Sequence, residues 1–165
     1  MKLLPASVVS EQIRTLGGSS WRVAAGDYGW LYVVPGLVGV LAAVIGVPSV
    51  DPANLLAGVA VLTGLIFNLS FSVFDKSLQI RRDPIQSADP IIVMLVEELR
   101  VNINYTVLIG IVLTGILTSA TLFTTPFQIF AAVTVGLVAA AMAHLLLMCG
   151  MILKRFNSLH DAMKP

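Results

Sequence analysis

Four apolar stretches, each long enough to cross a lipid bilayer, constrain this chain more than any other feature. A spanning helix needs about 20 mostly apolar residues, and residues 29–47, 53–74, 105–123 and 127–153 each provide such a window. The rest of the composition leaves room for little else: 57% of the 165 residues are hydrophobic and 12% are charged, against about 25% charged in a soluble domain. Mean hydropathy is +0.92. The expected fold is therefore all-α, a polytopic membrane protein with four transmembrane helices arranged as two in–out–in hairpins.

The basic residues orient those spans. Lys2, Arg14 and Arg22 precede the first span, Lys76, Arg81, Arg82 and Arg100 lie between the second and third, and Lys154, Arg155 and Lys164 follow the fourth. All are on one side, which places both termini in the cytoplasm by the excess of Lys and Arg in cytoplasmic loops. The other two connections, "PSVDPAN" (48–54) and "TTPFQ" (124–128), carry a single Asp51 and read as tight outer turns. Tyr28, Trp30 and Tyr32 stand where an interfacial aromatic anchor of the first span belongs.

The expected organisation follows from these spans: a cytosolic lead-in segment (1–28), a first transmembrane hairpin (29–74), a cytosolic connection and helix (75–104), a second hairpin (105–153) and a cytosolic tail (154–165). Within the lead-in, Val8, Val9, Ile13 and Leu16 recur at helical spacing, which fits a short interfacial helix stopping at Gly17-Gly18, with a frayed terminus as the alternative. The lead-in does not read as a secretory signal, since its apolar run begins too late. In "RRDPIQSADP" (81–90) the prolines end any helix continuing from the second span. Ser87 or Asp89 can cap a new one that starts at Pro90 and runs into the third span, so that this third helix extends into the cytosol for about 30 residues in all.

The mouth of that helix is polar. In "EELRVNINYTVLIGIVL" (97–113) Glu97, Arg100 and Asn104 share one face, while Glu98, Asn102 and Tyr105 share another, because each residue turns the helix by about 100°. One reading is a helix crossing the headgroup layer with Tyr105 as its anchor and Glu97–Arg100 as a surface pair. The other is that the two faces serve two neighbours, with Arg81, Arg82, Glu97, Glu98 and Arg100 as candidates for docking a partner.

Two stripes recur every fourth residue. Ala60, Gly64, Asn68, Ser72 and Lys76 line one side of the second span, and Ala132, Gly136, Ala140 and His144 line one side of the fourth. Small residues let helices approach closely in lipid. Two such stripes are more packing surface than four helices need, so the expectation is a homo-oligomer, a tetramer before a dimer, with Gly64 or Gly136 at the contacts. His144, ten residues before Lys154, sits about 15 Å deep. A histidine there points at another helix, either neutral and hydrogen-bonded to a carbonyl, Asn or Ser, or as a proton-sensing or pore-lining group. Asn68 and Asn104 fall at similar depths and can meet between neighbouring helices. Gly64, Asn68, Ser72, Asn102, Asn104, Gly136 and His144 are thus the candidates for packing or gating.

Other classes of function lose their required parts. No Asp or Glu lies inside a span, as a proton-coupled four-helix exporter would require. No Ser/His/Asp set, paired metal histidines, phosphate loop or acidic cluster is present, so neither catalytic residues, metal site nor cofactor is expected, and the chain does not read as an enzyme. Formal net charge is only +1, which argues against direct nucleic-acid binding. The single Cys149 excludes an internal disulfide and reads as a packing residue.

Three segments carry a resemblance: "FNLSFSVFDK" (67–76), "LRVNINYTVLIGI" (99–111) and "HLLLMCGMILKRF" (144–156). Together they resemble small four-span membrane proteins of bacterial antiphage systems, a group that includes the membrane subunit of Kiwa. The resemblance implies a homo-oligomeric effector or sensor in the inner membrane, paired with a cytosolic protein from the same operon, that perturbs the membrane or reports its disturbance. It implies no catalytic residues. Two other readings stay open from sequence: a non-conducting scaffold that anchors a cytosolic enzyme, and a small channel or transporter subunit.

Overall fold

The computed structural model describes residues 5–16, 29–45, 51–84, 89–122 and 128–162. The Gly17-Gly18 stop, Tyr28, Ser87, residues 48–50 and the turn at 124–127 lie outside the described residues. Those described are all-helical, without strands. We label the helices α1 (Pro5–Leu16), α2 (Gly29–Ile45), α3 (Pro52–Arg82), α4 (Pro90–Leu122) and α5 (Gln128–Ala162). α3, α4 and α5 are each long and apolar enough to cross a membrane, whereas α2 is a shorter apolar helix. At 1.5 Å per residue the 33 residues of α4 reach about 50 Å, well beyond a hydrocarbon core of about 30 Å.

Local chemistry sets the helix ends. Asp51 Oδ1 accepts the Ala53 N–H at 3.0 Å and Pro52 opens α3, a position where its missing N–H costs nothing. At the other end Arg81 and Arg82 occupy the last turn, facing the negative end of the helix dipole. Asp83 is extended there, as the residue before Pro84 must be. α4 starts as expected at Pro90, with Asp89 Oδ1 accepting the Ile91 N–H at 2.8 Å. Inside α4 the hydroxyls of Thr106, Thr114, Thr118 and Ser119 each bond the carbonyl four residues back, so these polar side chains are satisfied without leaving their own helix.

A seven-residue repeat builds the core. Val59, Ile66, Val73 and Ile80 of α3 are buried, and so are Val138, Leu145, Ile152 and Leu159 of α5. On α4 the buried positions Ile92, Val96, Leu99, Ile103, Thr106, Gly110, Leu113 and Leu117 alternate in steps of four and three. That is the heptad pattern of left-handed helix packing. α3 and α5 both pack on α4, and side chains from all three meet in shared clusters. Among the described residues the α3 and α5 backbones nowhere come within 8 Å of each other.

Three glycines permit the closest approaches. A Cβ on Gly110 would fall 2.3 Å from Thr63 Oγ1, so α3 and α4 cross where α4 has no side chain. α2 does not pack on its sequence neighbour α3; it lies along α5. There a Cβ on Gly39 would stand 2.7 Å from the Gly136 carbonyl oxygen, and one on Gly136 would stand 2.8 Å from that of Gly39. This is backbone-to-backbone contact of the small-residue kind.

α1 is a helix, as its periodicity predicts, but its apolar positions divide. Val8 packs against the cluster of Leu31, Tyr105 and Met148, and Gln12 is buried, while Val9 and Ile13 are exposed. The helix seats on α4 through one side and leaves Val9 and Ile13 on the outside.

Candidate functional site

The seam between α4 and α5 carries an ion pair and a buried hydrogen bond that join the two helices. Beginning at the charged end, Glu98 is ion-paired with Arg155. One turn further along α4 lies Asn102, fully buried, whose side-chain amide meets no hydrogen-bond partner among the described residues. Next comes Tyr105, whose hydroxyl is 3.1 Å from His144 Nε2. Tyr105 is seven residues, about 10 Å, from Glu98, and His144 is eleven residues, about 16 Å, from Arg155 along their helices. The anchor role expected of Tyr105 is therefore corrected: only 4% exposed, it is an internal partner of His144.

His144 fastens three helices. Its Nδ1 is 2.7 Å from the Leu31 carbonyl oxygen. Since a carbonyl only accepts, the neutral ring carries its proton on Nδ1, and Nε2 accepts the Tyr105 O–H. The acceptor exists for a local reason. Pro35 has no N–H to give to the carbonyl four residues back, that of Leu31, and the first turn of α2, Gly29–Val33, is π-helical. Tyr32 of the same turn lies against the imidazole, ring centroids 5.2 Å apart, and the Tyr105 ring meets it edge-on at 5.7 Å. Tyr32, expected as an interfacial anchor, thus packs on a buried histidine. Of the two readings of His144, the geometry shows the hydrogen bond to a neighbouring helix's carbonyl.

On the opposite flank of α4, polar residues face α3. Arg100 Nε donates to Glu97 Oε2 at 3.1 Å, and Arg81 approaches the same carboxylate at 3.8 Å. The Arg100 guanidinium, with Arg81 beyond it, holds the Glu97 carboxyl below the usual carboxylate range against the opposing effect of burial. Glu97 in turn raises Arg100 above its ordinary value, with Glu11 of α1 adding to the effect. Asn104 accepts a hydrogen bond from the Ser70 hydroxyl at 3.2 Å. The neighbour expected for Asn104 was Asn68, but Asn68 is exposed on the far side of α3.

The candidates therefore separate. Asn102 and His144 join the buried seam; Asn104 with Ser70 and Glu97 with Arg81 tie α3 to α4, Arg100 holding Glu97 from within α4; Gly136 is consumed by α2. Gly64, Asn68 and Ser72 are exposed, and a Cβ on Gly64 would meet nothing within 4 Å. Arg82 is exposed as well. Sequence reasoning missed Ser70, Tyr32, Arg155 and the Pro35–Leu31 pairing. The seven-residue spacing from Glu98 to Tyr105 and the eleven from His144 to Arg155 hold the only trace of the two facing pairs. Among the described residues no three His, Cys, Asp or Glu side chains gather as a metal site.

Three helices suited to cross a membrane suggest a membrane protein. Compared with protein-family models, curated proteins and solved structures, the chain matches none.

Proposed function

We propose that this protein is an oligomeric effector or sensor of a bacterial antiphage system, spanning the inner membrane four times with both termini in the cytoplasm. It acts with a cytosolic protein that engages the charged ends of α3, α4 and α5. The resemblance of the three segments to four-span antiphage proteins supports the class. The polar α4–α5 seam supports the mechanism, and it is the observation that carries the reading.

The Glu98–Arg155 pair, the Asn102 amide and the Tyr105–His144–Leu31 chain follow one another inward along two helices. A buried amide without a partner costs about 1–3 kcal/mol, so a rearrangement that wets or pairs Asn102 recovers part of what breaking the seam costs. Separating α4 from α5 at the charged end would undo the ion pair first, then the tie that holds α2. Among the described residues the small-residue side of α3 is exposed, which leaves it to neighbouring copies. Asn68 lies there, and a polar side chain at membrane depth favours a helix partner over lipid.

The test is a plaque assay on cells carrying the gene with its operon, as wild type and as Asn68→Leu, Asn102→Leu and His144→Leu, with membrane potential followed by dye during infection. Protection and depolarisation in the wild type, lost in the variants while expression persists, is the expected result. Wild-type cells without protection would overturn the antiphage reading. Protection retained by all three variants would favour a scaffold for a cytosolic enzyme.

A further inference from the structure

Because α3 and α5 both pack on α4 without approaching each other, a groove of about 300 Å³ remains between them at the charged end. That is near the lower limit of small-ligand sites. Its floor is Val96 and Leu99 of α4, and its walls include Leu69 and Val73 on one side and Phe156 on the other. It is apolar along its depth, yet Lys76 and His160 also line it, and no Asp or Glu does. Of the basic residues at the same end of these helices, Arg81 and Arg100 are engaged with Glu97, and Arg155 with Glu98. No carboxylate within ion-pair distance pairs with Lys76 among the described residues.

We propose that this groove binds an anionic phospholipid, with an acyl chain along Leu69, Val73 and Leu99 and the phosphate at Lys76 Nζ, assisted by His160. The arrangement follows the shape of such a lipid. On α3 the apolar residues lie toward the middle of the helix and the ammonium lies nearer its charged end. The interhelical ion pairs Arg81–Glu97 and Glu98–Arg155 lie at that same end, as groups in a headgroup layer do. A peptide helix is a poor occupant, since the groove is small and offers few polar groups to it. A zwitterionic lipid gains less from a lone cation, because its own amine offsets the phosphate. Basic pockets between membrane helices bind anionic headgroups elsewhere by the same chemistry. This inference stands apart from the antiphage reading, and its test measures lipid, not protection.

The experiment is native mass spectrometry of the purified, delipidated protein given an equimolar mixture of phosphatidylglycerol and phosphatidylcholine with distinguishable acyl chains. Wild type should show the phosphatidylglycerol adduct in clear excess. Lys76→Gln should lower the ratio of the two adducts about fivefold, the contribution of one cation near an anionic surface. Ser72→Phe, an exposed groove-lining position that can take a larger side chain without disturbing the core, should reduce both adducts. Lys154→Gln, exposed and outside the groove, should leave the ratio unchanged. A wild-type ratio near one, a ratio unmoved by Lys76→Gln, or adducts undiminished in Ser72→Phe would each overturn the proposal.

Discussion

Two stripes of small residues look alike in this sequence and end differently in the fold. On α5, Gly136 meets the Gly39 backbone, Ala140 lies where a Gly39 Cβ would go, and His144 bonds the Leu31 carbonyl. On α3, Ala60, Gly64, Asn68 and Ser72 are exposed. A small-xxx-small pattern thus states that a backbone can be approached, not what approaches it. On α5 the approaching helix is α2, from the same chain. Among the described residues no helix covers Gly64 or Asn68 of the α3 stripe, so under the proposed function the assembly contact falls to Gly64, and Gly136 serves the internal fold.

The largest effect that sharpens this contrast comes from adding bulk to each stripe. Gly136→Leu has no room against the Gly39 carbonyl, and should cost about 3 kcal/mol, read as a lowered thermal midpoint in detergent with loss of α2 protection in hydrogen exchange. Gly64→Leu should leave protomer stability within about 0.5 kcal/mol and change only the assembly seen by native mass spectrometry. Equal destabilisation by both would erase the distinction.

Removing the polar end of the α5 stripe is the next largest change. His144→Leu strands the Leu31 carbonyl and removes the Nε2 acceptor of the Tyr105 hydroxyl, a loss of about 1–3 kcal/mol. Its signature should be local, with faster exchange in α2 than in α3 or α4. Uniform loosening of all helices would show that His144 does not act through α2.

The smallest effect concerns the two asparagines. Asn104→Leu breaks the bond from Ser70 and should cost about 0.6 kcal/mol, the average for a membrane hydrogen bond. Asn68→Leu should be neutral or stabilising for a single protomer, since Asn68 is exposed and makes no side-chain hydrogen bond among the described residues. Steric trapping in bicelles resolves differences of this size, and a larger loss for Asn68 would place it inside the protomer's own packing.

Much of the local structure was legible. The Asp51–Pro52 and Asp89–Pro90 starts and the stop before Pro84 are written in side chains that act within two or three residues. The Glu97–Arg100 pair is likewise a neighbour contact. The core faces were harder to see although their heptads are present. In a soluble helix polar residues mark the outside, but here exposed Ile91, Val93, Ile111 and Val112 are as apolar as buried Ile92, Val96 and Leu113. Hydropathy cannot separate a lipid-facing side from a packed one, and only the spacing of seven remained as a signal. For α1 the same ambiguity joined Val8 and Val9 on one face, where packing on α4 divides them.

By itself, then, the sequence determined that the chain is helical, where α4 begins and α3 stops, and that the long helices are apolar enough for a membrane, because propensity, capping and hydropathy act over a few residues or over a whole segment; that α5 continues through the expected tail to Ala162 was not written there. Which helix lies on which was decided only in three dimensions. α2 passes over its neighbour α3 to pack on α5, because Gly39 and Gly136 permit backbone contact there and because Pro35 leaves the Leu31 carbonyl for a histidine 113 residues away. Such pairings depend on shape and on single hydrogen bonds between distant segments, and no pattern within either segment records its partner.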